Sequence, residues 1–144
     1  MIEKGKVREL SGQWVSLRQL LAERPLTLLL FYNNDCLGCT GRALPLAYEI
    51  ASQYPQLQVL GIHSDFGERK GSAENIPQVF SSGVCPFPIY IDESHRLYDA
   101  FQCEGTPHWV LLDEQGMALL SVFGSQQNAQ NRLFYRLMEI FGTA

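Results

Sequence analysis

Leu29-Leu30-Phe31-Tyr32-Asn33-Asn34-Asp35-Cys36-Leu37-Gly38-Cys39 is the stretch on which the fold turns. It opens inside an apolar run, Leu26 to Tyr32, broken only by Thr27. Such a run predicts a strand buried on both faces. The run gives way to a polar loop, Asn33-Asn34-Asp35, and then to a Cys-x-x-Cys at the start of a predicted helix. That placement has a chemical use. The free N–H groups and the positive end of a helix dipole stabilise a thiolate at the first cysteine, Cys36. The second, Cys39, lies one turn further in, close enough to close a disulfide. One thiolate attacks a substrate disulfide and the other resolves the mixed disulfide.

Downstream, Leu37 to Tyr54 reads as a helix with Leu44, Ala47, Tyr48, Ile50 and Ala51 on one face, kinked by Pro45 and ended by Pro55. Gln58 to Ile62 is a second buried strand, Gly67 to Ser72 a loop, and Ala73 to Phe80 a helix begun or interrupted near Pro77. Pro88 to Ile91 is a third strand closed by Asp92, and Ser94 to Phe101 a short helix capped by Ser94. Trp109 to Leu112 and Ala118 to Phe123 are joined by Asp113-Glu114-Gln115-Gly116, a link short enough to make them an antiparallel hairpin. Ala129 to Phe141 closes the chain as an amphipathic helix, with Leu133, Leu137 and Ile140 on one face.

Upstream, residues 5–17 form a small hairpin turning at Ser11-Gly12, and Ser16 to Glu23 a short helix capped by Ser16 and stopped by Pro25. Strands alternating with helices imply a parallel sheet, to which the last hairpin adds an antiparallel edge. The expected fold is a three-layer α/β/α sandwich with a central mixed sheet, a single domain over residues 1–144. Trp14, Trp109, Phe31 and Phe123 are expected in the core, as are Tyr32 and Phe87 unless they line a substrate groove. Glu68-Arg69-Lys70 and Glu93 to Arg96 are expected on solvated faces.

The bulk numbers narrow the function. A chain of 144 residues with 46% hydrophobic and 18% charged residues can build one sizeable core. A net charge of −4 argues against nucleic acid or an anionic membrane as partner. Met1 to Leu10 is charged and lacks the apolar core of a signal peptide, so a cytoplasmic protein is the expectation. Four cysteines are too few for a disulfide-built secreted domain. A zinc site would need two more ligands beside Cys36 and Cys39, but Cys85 and Cys103 are unpaired in sequence and His63, His95 and His108 are scattered. No metal is therefore expected. Cys85 and Cys103 read as buried thiols, with a second disulfide or a relay as the alternative. No nucleotide or flavin motif is present, so no cofactor is expected, and electrons must arrive through another thiol protein or glutathione.

A second element is Gly105-Thr106-Pro107, leading into the strand at His108. The first residue of a strand can lack an N–H. Together with Cys36 and Cys39, this proline points to a cis Thr106–Pro107 bond beside the reactive pair.

In these elements the chain resembles the thioredoxin superfamily, and within it the TlpA-like (redoxin-type) thiol–disulfide oxidoreductases. The likeness runs over about residues 5–142. Glu9 to Leu17 resembles that family's N-terminal β-hairpin, Cys36-Leu37-Gly38-Cys39 its redox motif, and Phe87 to Asp92 the strand of its extra βα insertion. Gly105-Thr106-Pro107 and Leu111 to Gly116 resemble its cis-proline strand and the following turn. The resemblance implies that Cys36 is the exposed nucleophile and Cys39 the resolving thiol. It implies that Thr106 offers its backbone to an extended substrate, and that Pro107 shapes the surface facing the sulfurs and discourages metal capture. The expected partners are a disulfide-bearing protein or small thiol and a thiol electron donor.

The sequence also departs from the family. Asp35 replaces the usual tryptophan before the first cysteine, and a carboxylate there opposes the helix dipole. Gly38 replaces the usual proline, Arg42 stands where many members carry an acid, and Pro45 lies one residue later than usual. His108 could face the site as a proton shuttle or be a half-buried bystander. Two other functions fit the same fold. A peroxiredoxin-type peroxidase would want threonine at the position of Asn33 and proline at that of Leu29. A thioredoxin-like module could also bind a partner without catalysis.

Overall fold

In the computed structural model, which describes residues 5–67 and 70–142, the chain opens with two short antiparallel strands, β1 (Lys6–Arg8) and β2 (Trp14–Ser16). Helix α1 (Leu17–Leu21) follows directly. Its start is a reciprocal cap: the Ser16 hydroxyl accepts from the Gln19 N–H, and the Gln19 side chain accepts from the Ser16 N–H. Strand β3 (Leu26–Tyr32) comes next, then a helical stretch that ends as α2 (Leu44–Gln53), then β4 (Gln58–Ser64). After a long loop come β5 (Ile89–Asp92), α3 (Arg96–Ala100), β6 (His108–Asp113), β7 (Ala118–Phe123) and α4 (Gln127–Phe141).

The strands make one seven-stranded sheet in the order β2-β1-β5-β4-β3-β6-β7. β4 runs parallel to β3 and β5; β6 is antiparallel to β3 and to β7, and β1 antiparallel to β5. The alternation of β3 divides the core. Leu28, Leu30 and Tyr32 point to one face, packed with Leu44, Ala47 and Ile50 of α2 and Leu133 and Leu137 of α4. Leu29 and Phe31 point to the other, packed with Leu17 and Leu21 of α1 and Leu97 of α3. Helices on both faces explain why β3 is apolar almost throughout. The result is the three-layer sandwich with a mixed sheet. Strand β5 is the added strand, placed between β4 and the N-terminal hairpin.

Several local expectations are corrected. No α-helix forms over Ala73 to Phe80, which holds only a 3₁₀ turn at Pro77–Val79. Pro77 has no N–H to give the preceding turn. Ser72 and Asn75 spend their side chains on each other's backbone N–H groups, a local alternative to helix. Ser94 does not cap α3. Ser94 and His95 both take left-handed backbone angles (φ 57° and 46°), and the Asp92 carboxylate, two residues earlier, accepts from the N–H groups of Leu97 and Tyr98. Trp14 is 46% exposed, because it lies on β2, the outermost strand of the sheet, with no strand beyond it. Arg8 (4.3 Å) and Lys6 (5.0 Å) stack on its ring instead. Phe123, at the end of the edge strand, is 49% exposed. Glu68 and Arg69, expected on a solvated face, lie outside the described residues. No helix among the described residues is long and apolar enough to cross a membrane.

Candidate active site

β3 delivers the chain to the site, and the loop Asn33–Asp35 aims it. Asn33 binds at both ends: its side-chain N–H donates to the Ser64 carbonyl (2.8 Å) and its side-chain oxygen accepts from the Asp35 N–H (2.9 Å). The Asn33 carbonyl accepts from the Cys36 N–H (3.1 Å). Helix starts at Leu37, and residues Cys39–Ala43 form a π-helical turn before α2, with the Leu44 N–H donating to the Cys39 carbonyl. The widened turn absorbs Pro45. A proline lacks the N–H of a regular helix and its ring crowds the preceding turn, and one extra residue per turn relieves both. The kink expected from Pro45 is therefore a π turn that begins at the second cysteine.

The two sulfurs stand in different surroundings. Cys36 is half-buried; its thiol donates to the Thr106 carbonyl (3.4 Å) and its sulfur accepts from the Cys39 N–H (3.2 Å). Cys39 is completely buried. Burial above all, and next its hydrogen bond with the Cys36 thiol, push the Cys39 thiol up to about 12. Thr106 and Pro107 close the site from the start of β6, and the peptide bond between them is cis. Gly38 takes φ −65° and ψ −25°, ordinary helical angles, and a Cβ there would meet Ser125 Oγ at 3.4 Å and Pro107 Cδ at 3.7 Å. Nothing in the backbone therefore requires glycine at this position. Leu37, between the cysteines, is 86% exposed. Asp35 and Arg42 are on the surface.

His108 lies away from the pair. It alternates with Trp109, which faces the α2 side of the sheet, and its ring is engaged at both nitrogens. Nδ1 accepts from the Glu104 N–H (3.3 Å), which leaves the proton on Nε2 to donate to Ser121 Oγ (2.8 Å). Burial lowers its pKa, opposed by the Glu104 charge. The ring thus holds the segment before Thr106.

Cys85 packs on the same core as Cys36 and Cys39, on the wall of an open groove of about 670 Å³ that starts at Thr40 and passes Leu44, Tyr48 and Phe80. Cys103 packs on the core across the sheet, and burial, then the nearby Asp92 and Asp99, push its thiol up to about 12. A sheet lies between Cys85 and Cys103, which excludes a disulfide joining them. Among the described residues no group of three or more His, Cys, Asp or Glu is placed to hold a metal ion.

One set of residues at the site carries no local mark in the sequence. β4 runs two residues past Ile62, and His63, Ser64 and Asp65, all buried, reach the loop before Cys36. The Asn34 N–H donates to His63 Nε2 (3.2 Å), and Asn34 Nδ2 donates to the Asn75 carbonyl (3.0 Å). The only available signal was the polar triplet His63-Ser64-Asp65 ending an otherwise apolar run.

A buried cysteine next to a half-buried one, at a strand-to-helix junction facing a cis-proline, defines a dithiol site that exchanges disulfides. The chain belongs to the thiol–disulfide oxidoreductases of the thioredoxin superfamily, redoxin type. It is 31% identical over 113 residues to the thiol-disulfide oxidoreductase YkuV of Bacillus subtilis (strain 168), a match that covers 78% of this chain and 74% of that one. Solved structures share the fold, among them the following two. The thioredoxin-like superfamily protein SPOA0173 superposes with a TM-score of 0.75 at 20% identity, over 100% of this chain and 99% of its own. MTB DsbF superposes with a TM-score of 0.73 at 18% identity, over 96% of each chain. No protein-family model matches the chain.

Proposed function

We propose that Cys36 is the attacking thiol, Cys39 the resolving thiol, and Thr106 and Pro107 the surface on which the substrate disulfide lies. The Cys36 thiolate attacks one sulfur of the substrate disulfide, forming a mixed disulfide and releasing the other sulfur as a thiolate. Cys39 then gives up its proton and attacks Cys36 Sγ. The substrate leaves as a dithiol, and the two electrons it gained leave a Cys36–Cys39 disulfide behind. A thiol donor, one dithiol protein or two glutathione molecules, then runs both exchanges in reverse. Its first thiolate opens the Cys36–Cys39 disulfide, its second releases Cys36 from the mixed disulfide, and the donor leaves as a disulfide. In a compartment poised by reduced thiols the protein works as a reductant. The observation that carries this assignment is the asymmetry of the pair: the Cys36 sulfur is reachable and held by the Cys39 N–H, whereas Cys39 is buried with its proton retained. Exposed Leu37 beside the sulfur favours a polypeptide substrate with apolar residues near its disulfide.

The test is a titration against a glutathione or dithiothreitol redox buffer, read by mass, for wild type, Cys36→Ser and Cys39→Ser. A reversible two-electron transition is expected in wild type and in neither variant. Cys39→Ser is expected to accumulate mixed disulfide at Cys36. Mixed disulfide at Cys39 in the Cys36→Ser protein, at the wild-type rate, would reverse the two roles.

A further inference from the structure

The loop that presents Cys36 is fastened at Asn34, and the fastening ends on a buried imidazole. His63 Nε2 accepts the Asn34 N–H (3.2 Å), so its ring proton sits on Nδ1, which donates to Asp65 Oδ1 (2.9 Å). The same carboxylate oxygen accepts from the Gly71 N–H (2.9 Å). The ring has no room to turn. Tyr32 meets it edge-on with centroids 5.2 Å apart, and a Cβ at Gly71 would lie 2.7 Å from its Nδ1. His63 and Asp65 are 2% and 5% exposed. A buried histidine with both nitrogens assigned, whose outer nitrogen bonds a backbone N–H two residues before the reactive cysteine, does more than fill space.

We infer that His63 is a positioning residue for the disulfide exchange: oriented by Asp65, it holds the Asn34 backbone so that the Cys36 sulfur meets the Cys39 N–H. This rests on Cys36 as the attacking thiol. Asp65 fixes which nitrogen carries the proton, the role a carboxylate plays behind an oriented imidazole elsewhere. The Asn34 bond then fixes the loop, the Asn33 carbonyl receives the Cys36 N–H, and the first helical turn follows. Without the acceptor at Nε2, the Asn34 N–H turns to water and the loop gains freedom next to the sulfur.

Two variants divide the imidazole. His63→Gln keeps an acceptor at the position of Nε2 and loses the donor to Asp65. His63→Asn keeps a donor at the position of Nδ1 and falls short of Asn34. The readout is the alkylation rate of Cys36 in the reduced protein by iodoacetamide across pH, measured by mass, which needs no turnover. It therefore stays interpretable even in a chain whose Cys36 and Cys39 never form a disulfide. We expect His63→Gln to stay within roughly twofold of wild type and His63→Asn to fall by roughly fivefold or more, the effect of losing one hydrogen bond. Equal rates in both variants, or the reverse order, would overturn the inference; a role in packing alone lowers the urea midpoint of both without separating their rates. Wild type supplies a measurement independent of folding in the variants. Hydrogen exchange by NMR is expected to show the Asn34 amide protected by at least about tenfold over its intrinsic rate, and exchange at the intrinsic rate would refute the inference.

Discussion

The backbone N–H of Cys39 points at the sulfur of Cys36 across 3.2 Å, so the residue proposed to resolve the reaction also supports the one proposed to start it. The support comes from the main chain and survives replacement of the Cys39 side chain. Alkylation of the reduced protein at pH 8 is accordingly expected at Cys36 well before Cys39, by at least about tenfold, and Cys39→Ser is expected to leave the Cys36 rate within about threefold. Peptide mass mapping of a timed iodoacetamide reaction measures both.

Two thiols make the reduced protein sensitive to alkali. Cys39 and Cys103 are both pushed from an ordinary value of 9.0 up to about 12, chiefly by burial. In each case the unfolded chain releases its proton first. The stability tied to the neutral thiols is whole below about 9 and drains away as pH climbs toward about 12. The urea midpoint is expected to fall steadily from pH 8.5 upward (an experimental range, roughly to 10.5), and less steeply in Cys103→Ser.

His108 sets an opposite limit. Burial lowers its pKa from 6.5, so the folded protein resists protonation there while the unfolded chain does not. Its contribution is present above about 6.5 and is lost as pH falls through the lowered folded value. Urea midpoints between neutral pH and pH 5 are expected to drop less in His108→Gln than in wild type, a test that isolates this ring from the other acids and bases.

Gly38 occupies helical angles, and a Cβ there would make only ordinary van der Waals contacts, with Ser125 Oγ at 3.4 Å and Pro107 Cδ at 3.7 Å. Gly38→Ala is expected to stabilise the protein by about 0.4–1 kcal/mol through the entropy of the unfolded chain, readable as a higher urea midpoint at unchanged slope.

Tyr32 carries a different cost. Its hydroxyl is buried with no hydrogen-bond partner among the described residues, and burial, then the nearness of Cys85 and Cys39, raises its pKa. Tyr32→Phe removes an unmet donor and keeps the ring against His63, so we expect equal or greater stability, by up to about 1 kcal/mol, in urea unfolding.

What the sequence revealed was what it encodes locally. Leu26 to Tyr32 declares itself by an apolar run broken only at Thr27, Cys36 and Cys39 by their spacing after it, and Thr106-Pro107 by one dipeptide ahead of a strand. His63 had no such mark. It falls just beyond the run that identified β4, and its partner Asn34 is 29 residues away, so their bond exists only once β3 and β4 lie side by side. The helix expected at Ala73 to Phe80 did not form, because Ser72, Asn75 and Pro77 gave the backbone a more favourable local arrangement. Asp92 shows the same limit. Ser94 looked like the cap by position alone, yet a carboxylate at the end of a neighbouring strand reaches the α3 amides, because two left-handed residues turn the chain back toward it.

The sheet between Cys36 and Cys103 also sorts the protein's thiols by neighbourhood. Electrons entering at Cys36 have no short path to Cys103, so an oxidant that marks Cys103 must reach it from solvent on the far side. The two faces then record different histories: one the traffic of the exchange reaction, the other the oxidising load of the surroundings.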